Sequence, residues 1–94
     1  MYYVYITANW NNKVLYIGFT SDLCKRIWEH KEKLVDGFTK RYNVDRLVYF
    51  ESSEDCDGAL AREKEVKKWR REKKDDLIRL KNPEYKDLYI EYCT

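Results

Sequence analysis

The stretch that decides the fold is YYVYITANWNNKVLYIGFT, residues 2–20. Residues 2–7 and 14–19 are rich in β-branched and aromatic side chains and contain no proline, which is typical of strands. The Asn-rich segment between them, residues 8–13, suits a turn. The stretch therefore predicts a β-hairpin.

Alternation along the hairpin decides which side chains share a face. It places Tyr3 and Tyr5 together on one face of the first strand, and Val14 and Tyr16 together on one face of the second. Gly18 is expected to end the second strand and to let the chain turn into a helix.

The rest of the chain predicts helices and one more strand. Helix caps, helical spacing and breakers predict a helix from residues 20–22 to about Val35, followed by a basic and aromatic loop over 38–43. A third strand is expected over 46–51. After it we expect a helix from 52–55 to about Glu72, a shorter helix ending near Leu80 and a final helix from Asn82 through Tyr89. These elements indicate an α+β fold, a small three-stranded antiparallel sheet flanked by helices.

Size and composition bound the class of protein. The 94 residues form a single domain, residues 1–94, with 44% hydrophobic and 38% charged residues. The longest apolar run is far shorter than the ~20 residues needed to span a bilayer, and no secretory signal is visible. We therefore expect a cytoplasmic protein without a membrane partner.

The cysteines point the same way. Cys24, Cys56 and Cys93 are odd in number and form no C-x-x-C pair, and His30 is the only histidine. Neither a zinc site nor a disulfide framework is expected, and the simplest compartment is a reducing cytosol.

Charge is unevenly distributed along the chain. Residues 61–81 hold ten Lys or Arg against five acidic residues, and residues 24–46 hold seven against four. Residues 47–60 and 82–94 are net acidic. This asymmetry fits one face that contacts phosphates, although solvated helices with i,i+4 ion pairs would explain it as well.

Polar residues of the hairpin and the helices are able to converge. Arg26 and His30 are four residues apart and share a helix face, while Tyr5 and Tyr16 lie on paired strands. Glu63 follows on the next long helix. Taken singly, each residue has a structural explanation, such as a sheet-surface aromatic or a salt-bridge partner.

In combination, these residues resemble a known family. Tyr3-Val4-Tyr5, ten intervening residues and Tyr16-Ile17-Gly18 are similar to the signature of the GIY-YIG nuclease superfamily. The match continues through residues 19–30, 61–69 and 82–83, and it looks closest to small, stand-alone, bacterial-type endonucleases. The one departure is Tyr3, which stands where the first motif has Gly.

The resemblance implies a divalent-metal-dependent endonuclease that hydrolyses DNA phosphodiester bonds with little sequence specificity, and it suggests a setting such as DNA repair. The candidate catalytic residues carried over are Tyr5, Tyr16, Arg26, His30, Glu63 and Asn82. Glu63 would hold one Mg²⁺ or Mn²⁺ ion, because Mg²⁺ needs few protein carboxylates and keeps several waters. Tyr5 would act as general base, which requires a lowered pKa.

The expected partner is DNA, whether single-stranded, branched or duplex. The candidate contacts to it are Lys40, Arg41, Lys67 and Arg70. A non-catalytic nucleic-acid-binding module and a protein-interaction module that retain the fold remain alternatives. The sequence also leaves open a homodimer or a partner protein.

Overall fold

The strands and helices follow the predicted order. The computed structural model describes residues 1–93, and its elements are β1 (Tyr2–Ala8), β2 (Leu15–Thr20), α1 (Leu23–Lys31), α2 (Phe38–Tyr42), β3 (Arg46–Ser53), α3 (Cys56–Lys68), α4 (Arg71–Lys81) and α5 (Leu88–Cys93). The strands form one antiparallel sheet in the order β2-β1-β3. The α+β fold predicted from the sequence is confirmed.

The hairpin forms as its residue types require. In the β1–β2 register Tyr5 lies opposite Gly18, and Thr7 lies opposite Tyr16. The Asn9 side chain closes the loop by accepting a hydrogen bond from the backbone of Val14 at 3.0 Å. The expected end of this strand at Gly18 was wrong, because β2 continues to Thr20 through its pairing with Tyr3 of β1.

Side-chain alternation along the sheet builds two cores. One face carries Val4, Ile6 and Ile17, which pack against Ala59, Val66 and Ile78 of α3 and α4. The other face carries Tyr5 and Leu47, which pack against Leu23 and Ile27 of α1, with Leu88 and Tyr89 of α5 beside them. The central strand β1 is thus covered on both faces.

Helix α1 is shorter than predicted. Asp22 caps its start by accepting a hydrogen bond from the Lys25 backbone at 3.2 Å. The helix ends at Lys31, because Lys33 turns into the left-handed region at φ 59°, and Leu34, which fitted the apolar spacing, is exposed. The expected extension to Val35 was wrong.

The predicted basic loop over residues 38–43 is instead the short helix α2. Gly37 precedes it at φ 97°, and Asn43 ends it in the left-handed conformation at φ 55°. Glycine and asparagine are the residues that adopt this conformation most readily, so the sequence does support both ends of the helix.

The expected helix from Asn82 was also wrong. Asn82 ends α4, and its side chain bonds to the Val48 carbonyl and to both backbone groups of Lys86. These bonds hold residues 82–86 as a turn, with Tyr85 at φ 54°, and α5 starts only at Leu88.

A disulfide joins Cys24 of α1 to Cys93 at the end of α5, with the two Cα atoms 5.5 Å apart. The expectation of no disulfide was therefore wrong, and the cysteine count no longer argues for a reducing compartment. The pairing spans 69 residues and depends on α5 packing beside α1, which local pattern does not reveal. None of the helices within residues 1–93 is long and apolar enough to cross a bilayer.

Candidate active site

Tyr5 is the buried centre of the candidate site. It lies in the middle of β1 with none of its surface exposed. A methyl group on Gly18, its cross-strand neighbour, would come within 2.7 Å of Cε2 of Tyr5 and closer still to Cζ and the hydroxyl. Gly18 is therefore the residue that makes room for the phenol.

His30 holds the Tyr5 hydroxyl. Nε2 of His30 lies 2.9 Å from Oη of Tyr5, and Nδ1 lies 3.1 Å from Oγ1 of Thr39 on α2. Burial, followed by the charge of Arg26, lowers the pKa of His30, so the ring is neutral near pH 7. When Nδ1 carries the ring proton and donates a hydrogen bond to Thr39, Nε2 accepts a hydrogen bond from the Tyr5 hydroxyl.

Tyr5 is a neutral phenol in the free protein. Burial, followed by the neighbouring Tyr16, raises the pKa of Tyr5. The Arg26 charge lowers it and the Glu63 charge raises it again, so both charges act on this hydroxyl. The lowered pKa expected for a tyrosine base is not present, and the expectation is corrected.

Tyr16 forms the half-buried side of the site. Its ring centroid lies 6.3 Å from that of Tyr5 and 5.8 Å from that of His30. Nζ of Lys67, on α3, lies 5.9 Å from the Tyr16 centroid. Tyr16 thus connects the buried Tyr5–His30 pair to the charged residues of α3.

Glu63 lies on α3, which packs against β1 and β2. Its side chain is 13% exposed and forms an ion pair with Lys67 at 2.7 Å. Nζ of Lys67, its ion-pair partner, lies 5.9 Å from the Tyr16 centroid, so the carboxylate lies near the hairpin tyrosines. It is neither distant from them nor enclosed in apolar packing.

Arg26 lies one helical turn before His30 on α1, as the spacing predicted. Its side chain is 39% exposed and forms an ion pair with Glu29 at 3.3 Å. A guanidinium that acts on a buried phenol and still reaches solvent is suited to bind a phosphate oxygen.

Asn82 lies apart from this group. It is buried beside β3, the strand at the other edge of the sheet from β2, and its amide binds the backbone of Val48 and Lys86. These contacts are structural, and a catalytic role for Asn82 stays a prediction.

The candidate DNA contacts separate into three places. Lys40 and Arg41 are exposed on α2 next to Thr39, Lys67 borders Tyr16 and Glu63, and Arg70 is exposed at the junction of α3 and α4. The structure thus brings α2 and Lys67 to the site, and a role for Arg70 stays a prediction.

Two contributors were missed by sequence reasoning. Thr39 binds His30, and Phe38 stacks on Tyr16 with centroids 6.5 Å apart. Both belong to the segment predicted as a loop, where no periodicity indicates which side chains face the site. The sequence did contain one indication of a short helix, because Gly37 and Asn43, which flank it, readily adopt positive φ angles.

The oxygen donors fit a hard divalent cation. Among residues 1–93, no three His, Cys, Asp or Glu side chains form a cluster able to hold a metal ion. The site offers the single carboxylate of Glu63, which is 13% exposed, and Mg²⁺ is commonly held by one or two carboxylates with several waters retained. Glu63 is thus the residue suited to hold such an ion.

Comparisons with known proteins agree with this geometry. The family model described as the GIY-YIG catalytic domain matches residues 1–76. A UPF0213 protein of Haloquadratum walsbyi is 37% identical over 76 residues, covering 81% of this chain and 84% of the relative. A UPF0213 protein of Syntrophus aciditrophicus is 39% identical over 83 residues, covering 87% and 93%.

A solved structure shows the same fold. The solution NMR structure of a UPF0213 protein from Bacillus halodurans matches with a TM-score of 0.59 and 30% identity, covering 100% of both chains. The motif residues Tyr5, Tyr16 and Gly18 lie inside the matched region, next to one another on the hairpin. The chain therefore belongs to the GIY-YIG family and is similar throughout to its small UPF0213 members.

Proposed function

We propose that this protein is a divalent-metal-dependent endonuclease that hydrolyses DNA phosphodiester bonds with little sequence preference. One observation carries the proposal: the buried hydroxyl of Tyr5 lies 2.9 Å from Nε2 of a neutral His30. Arg26 lies one helical turn before His30, and Lys67, the ion-pair partner of Glu63, lies against the Tyr16 ring. Such a set supplies the base, the phosphate ligand and the carboxylate that phosphodiester hydrolysis requires.

The raised pKa of Tyr5 decides how it would act as a base. A phenolate is not available, so Tyr5 takes a proton from the attacking water while its own proton passes to Nε2 of His30. His30 then carries both ring protons, with Nδ1–H held by Thr39. Tyr5 is restored as a phenol, and the positive charge rests on the imidazole.

The rest of the reaction follows from in-line displacement. The water oxygen forms a bond to phosphorus, the bond to the leaving oxygen breaks, and the leaving oxygen takes a proton from solvent. Arg26 would bind a phosphoryl oxygen, and Glu63 would hold the divalent ion. The bound ion would neutralise phosphate charge and stabilise the leaving oxygen.

Access to Tyr5 depends on a neighbouring side chain. Tyr5 has no exposed surface, whereas Tyr16 is half-buried beside it. We assign to Tyr16 the role of admitting the water to Tyr5 when its ring shifts. Lys67 is paired with Glu63 and lies next to the Tyr16 ring, and it would be available to a phosphate there if Glu63 held the ion.

A cleavage panel tests the proposal. Wild-type protein with Mg²⁺ or Mn²⁺ is expected to cut at least one of single-stranded, duplex and flapped DNA. Glu63→Gln is expected to lose activity about 100-fold or more, because the carboxylate that holds the ion is gone. The matched control is Glu65→Gln, on the same helix but 58% exposed and paired with Arg62, which should cut like wild type.

Two results would contradict the proposal. One is a wild-type protein that leaves every DNA uncut with both metals, and the other is a Glu63→Gln variant that cuts as fast as wild type. Arg26→Ala should fall by a similar factor through lost phosphate binding, and its failure to do so would remove Arg26 from the site.

A second candidate, a nucleic-acid-binding module without catalysis, has specific support. Tyr5 is fully buried and Glu63 is already paired with Lys67 at 2.7 Å, an arrangement that would suit a structural core as well. DNA binding that weakens steeply with salt, without cleavage under any metal condition, favours this candidate.

Setting and assembly rest on the sequence and on the family resemblance alone. A cytoplasmic location, a role in DNA repair and a homodimer or partner protein stay predictions. A protein with one active site cuts both strands of a duplex either by binding twice in succession or as a dimer. The oligomeric state during cleavage distinguishes these two possibilities.

A further inference from the structure

A row of aromatic rings leads from the buried base to the surface. The ring centroids are 6.3 Å apart from Tyr5 to Tyr16, 6.5 Å from Tyr16 to Phe38 and 5.0 Å from Phe38 to Tyr42. Exposure rises along this row from none at Tyr5 to 48% at Phe38 and 45% at Tyr42. The outer two rings thus form an open aromatic surface continuous with the candidate site.

Packing within the fold does not explain why these two rings are so exposed. Phe38 and Tyr42 are four residues apart on α2, so they share one face, and Thr39 is the buried residue of this helix. Phe38 leaves about half of its surface in solvent, although burial of an aromatic side chain is favourable. The rings are also held in place, since Thr39 ties α2 to His30 at 3.1 Å.

Charges surround the pair. The Arg41 guanidinium lies 5.6 Å from the Tyr42 centroid, and Lys40 on the same helix is 52% exposed. Lys67 lies on the neighbouring ring of the row, 5.9 Å from the Tyr16 centroid. Aromatic faces flanked by Lys and Arg are the combination that binds single strands, with bases on the rings and phosphates on the cations.

We infer that Phe38 and Tyr42 stack against an unpaired base of a DNA strand whose adjacent phosphate lies at Tyr16 and Glu63. The inference deepens the proposed endonuclease function, on which it rests, by naming the substrate class as DNA with unpaired bases. A base inside a closed duplex is stacked on its neighbours and cannot reach the α2 rings without being extruded.

Fluorescence anisotropy in EDTA tests this without any need for cleavage. The probes are a short labelled single strand and a blunt-ended duplex of the same length, annealed from two strands. Wild type is expected to bind the single strand more tightly, and Phe38→Leu and Tyr42→Leu should each weaken it about tenfold, because a leucine keeps apolar volume but lacks a ring face. Duplex binding should change less than about twofold.

Two further variants sharpen the comparison. Trp28→Leu removes a ring that is 47% exposed on α1, offset by two residues from Arg26 and so on the opposite side of the helix, and it should leave both affinities unchanged. Phe38→Trp retains a ring face and should retain the preference. Equal losses on both probes, or a single-strand affinity untouched by both leucine variants, would overturn the inference.

The two proposals fail separately. If the protein shows the ring-dependent preference but cuts no DNA with Mg²⁺ or Mn²⁺, hydrolysis fails and stacking stands. If it cuts duplex and single strands equally and the leucine variants cut like wild type, stacking fails and hydrolysis stands.

Discussion

Oγ1 of Thr39 lies 3.1 Å from Nδ1 of His30, and Oη of Tyr5 lies 2.9 Å from the other ring nitrogen. The imidazole is therefore fixed from both sides, by α2 and by the central strand β1. Thr39 is a positioning residue, since it acts on Tyr5 only through the histidine.

Replacing Thr39 tests this arrangement. Thr39→Val keeps the shape but leaves Nδ1 of a buried imidazole without a partner, which should lower the free energy of unfolding by about 1–3 kcal/mol. DNA cleavage should fall as well, and its pH dependence should shift because the tautomer is no longer fixed. Chemical denaturation and a pH–rate profile measure both effects.

Thr39→Ser is the matched control, because it restores the hydroxyl. It should recover the pH–rate profile of wild type even if a small loss of stability remains. A valine variant with an unaltered profile would show that Thr39 contributes packing alone.

Gly18→Ala should destabilise the protein by about 1–3 kcal/mol. The added methyl group meets the Tyr5 ring in a fully buried position, and crowding a packed core carries a cost of this size. Thermal or urea unfolding measures it. At Gly58 on α3 the added methyl would meet only the end of the Asp55 side chain, so Gly58→Ala should be neutral or stabilising by up to about 1 kcal/mol. Equal effects at the two glycines would contradict the steric account.

His30 makes stability depend on pH in a defined direction. Its pKa is lowered in the folded state by burial and by Arg26, so between the folded and unfolded pKa values the unfolded chain binds more protons. Stability is present above about pH 6.5 and is lost as the pH falls through the lowered folded value. Urea unfolding between pH 7.5 and 5 should show the decline, and His30→Gln should remove much of it. If His30→Gln shows the same decline in stability as wild type, groups other than His30 cause the pH dependence.

Reduction of the Cys24–Cys93 disulfide should lower the free energy of unfolding by about 2–4 kcal/mol, because the bond closes a long loop. Unfolding with and without dithiothreitol measures this. Cys24→Ser should abolish the response, whereas Cys56→Ser should keep it, since Cys56 is a free thiol. Alkylation of all three cysteines in the untreated native protein would show that the bond is not formed.

Local pattern was sufficient for the existence of the hairpin and of the long helices, because strand and helix periodicities are properties of short segments. It overran their ends, since α1 stops at Lys31 rather than Val35 and α3 at Lys68 rather than Glu72. It also placed Arg26 and His30 correctly on one helix face. It failed at α2 and around Asn82, where left-handed residues and side-chain bonds to distant strands decide the backbone. Local pattern missed the Cys24–Cys93 disulfide for the same reason, because the bond depends on how α5 packs against the rest of the protein.

The chemistry of the site was harder to predict than the identity of the residues that form it. Tyr5, Tyr16, Arg26, His30 and Glu63 were identified by their order along the chain. The structure places Tyr5, Tyr16 and His30 in contact, and Lys67 of α3 links Glu63 to the Tyr16 ring. Burial of Tyr5, which sets the direction of its pKa, depends on Gly18 and on packing from α1. The hydrogen bond between Tyr5 and His30 could therefore be found only from the coordinates.

The measurement closest to the central claim is the single-turnover cleavage rate of a labelled DNA strand with Mn²⁺, compared between wild type and Tyr5→Phe. Phenylalanine retains the ring beside Gly18 and removes only the hydroxyl that bonds to His30. The rate should fall about 10²–10⁴-fold, the usual contribution of a general base, while the fold remains intact by circular dichroism. A Tyr5→Phe protein that cuts as fast as wild type would contradict the assignment of Tyr5 as the base.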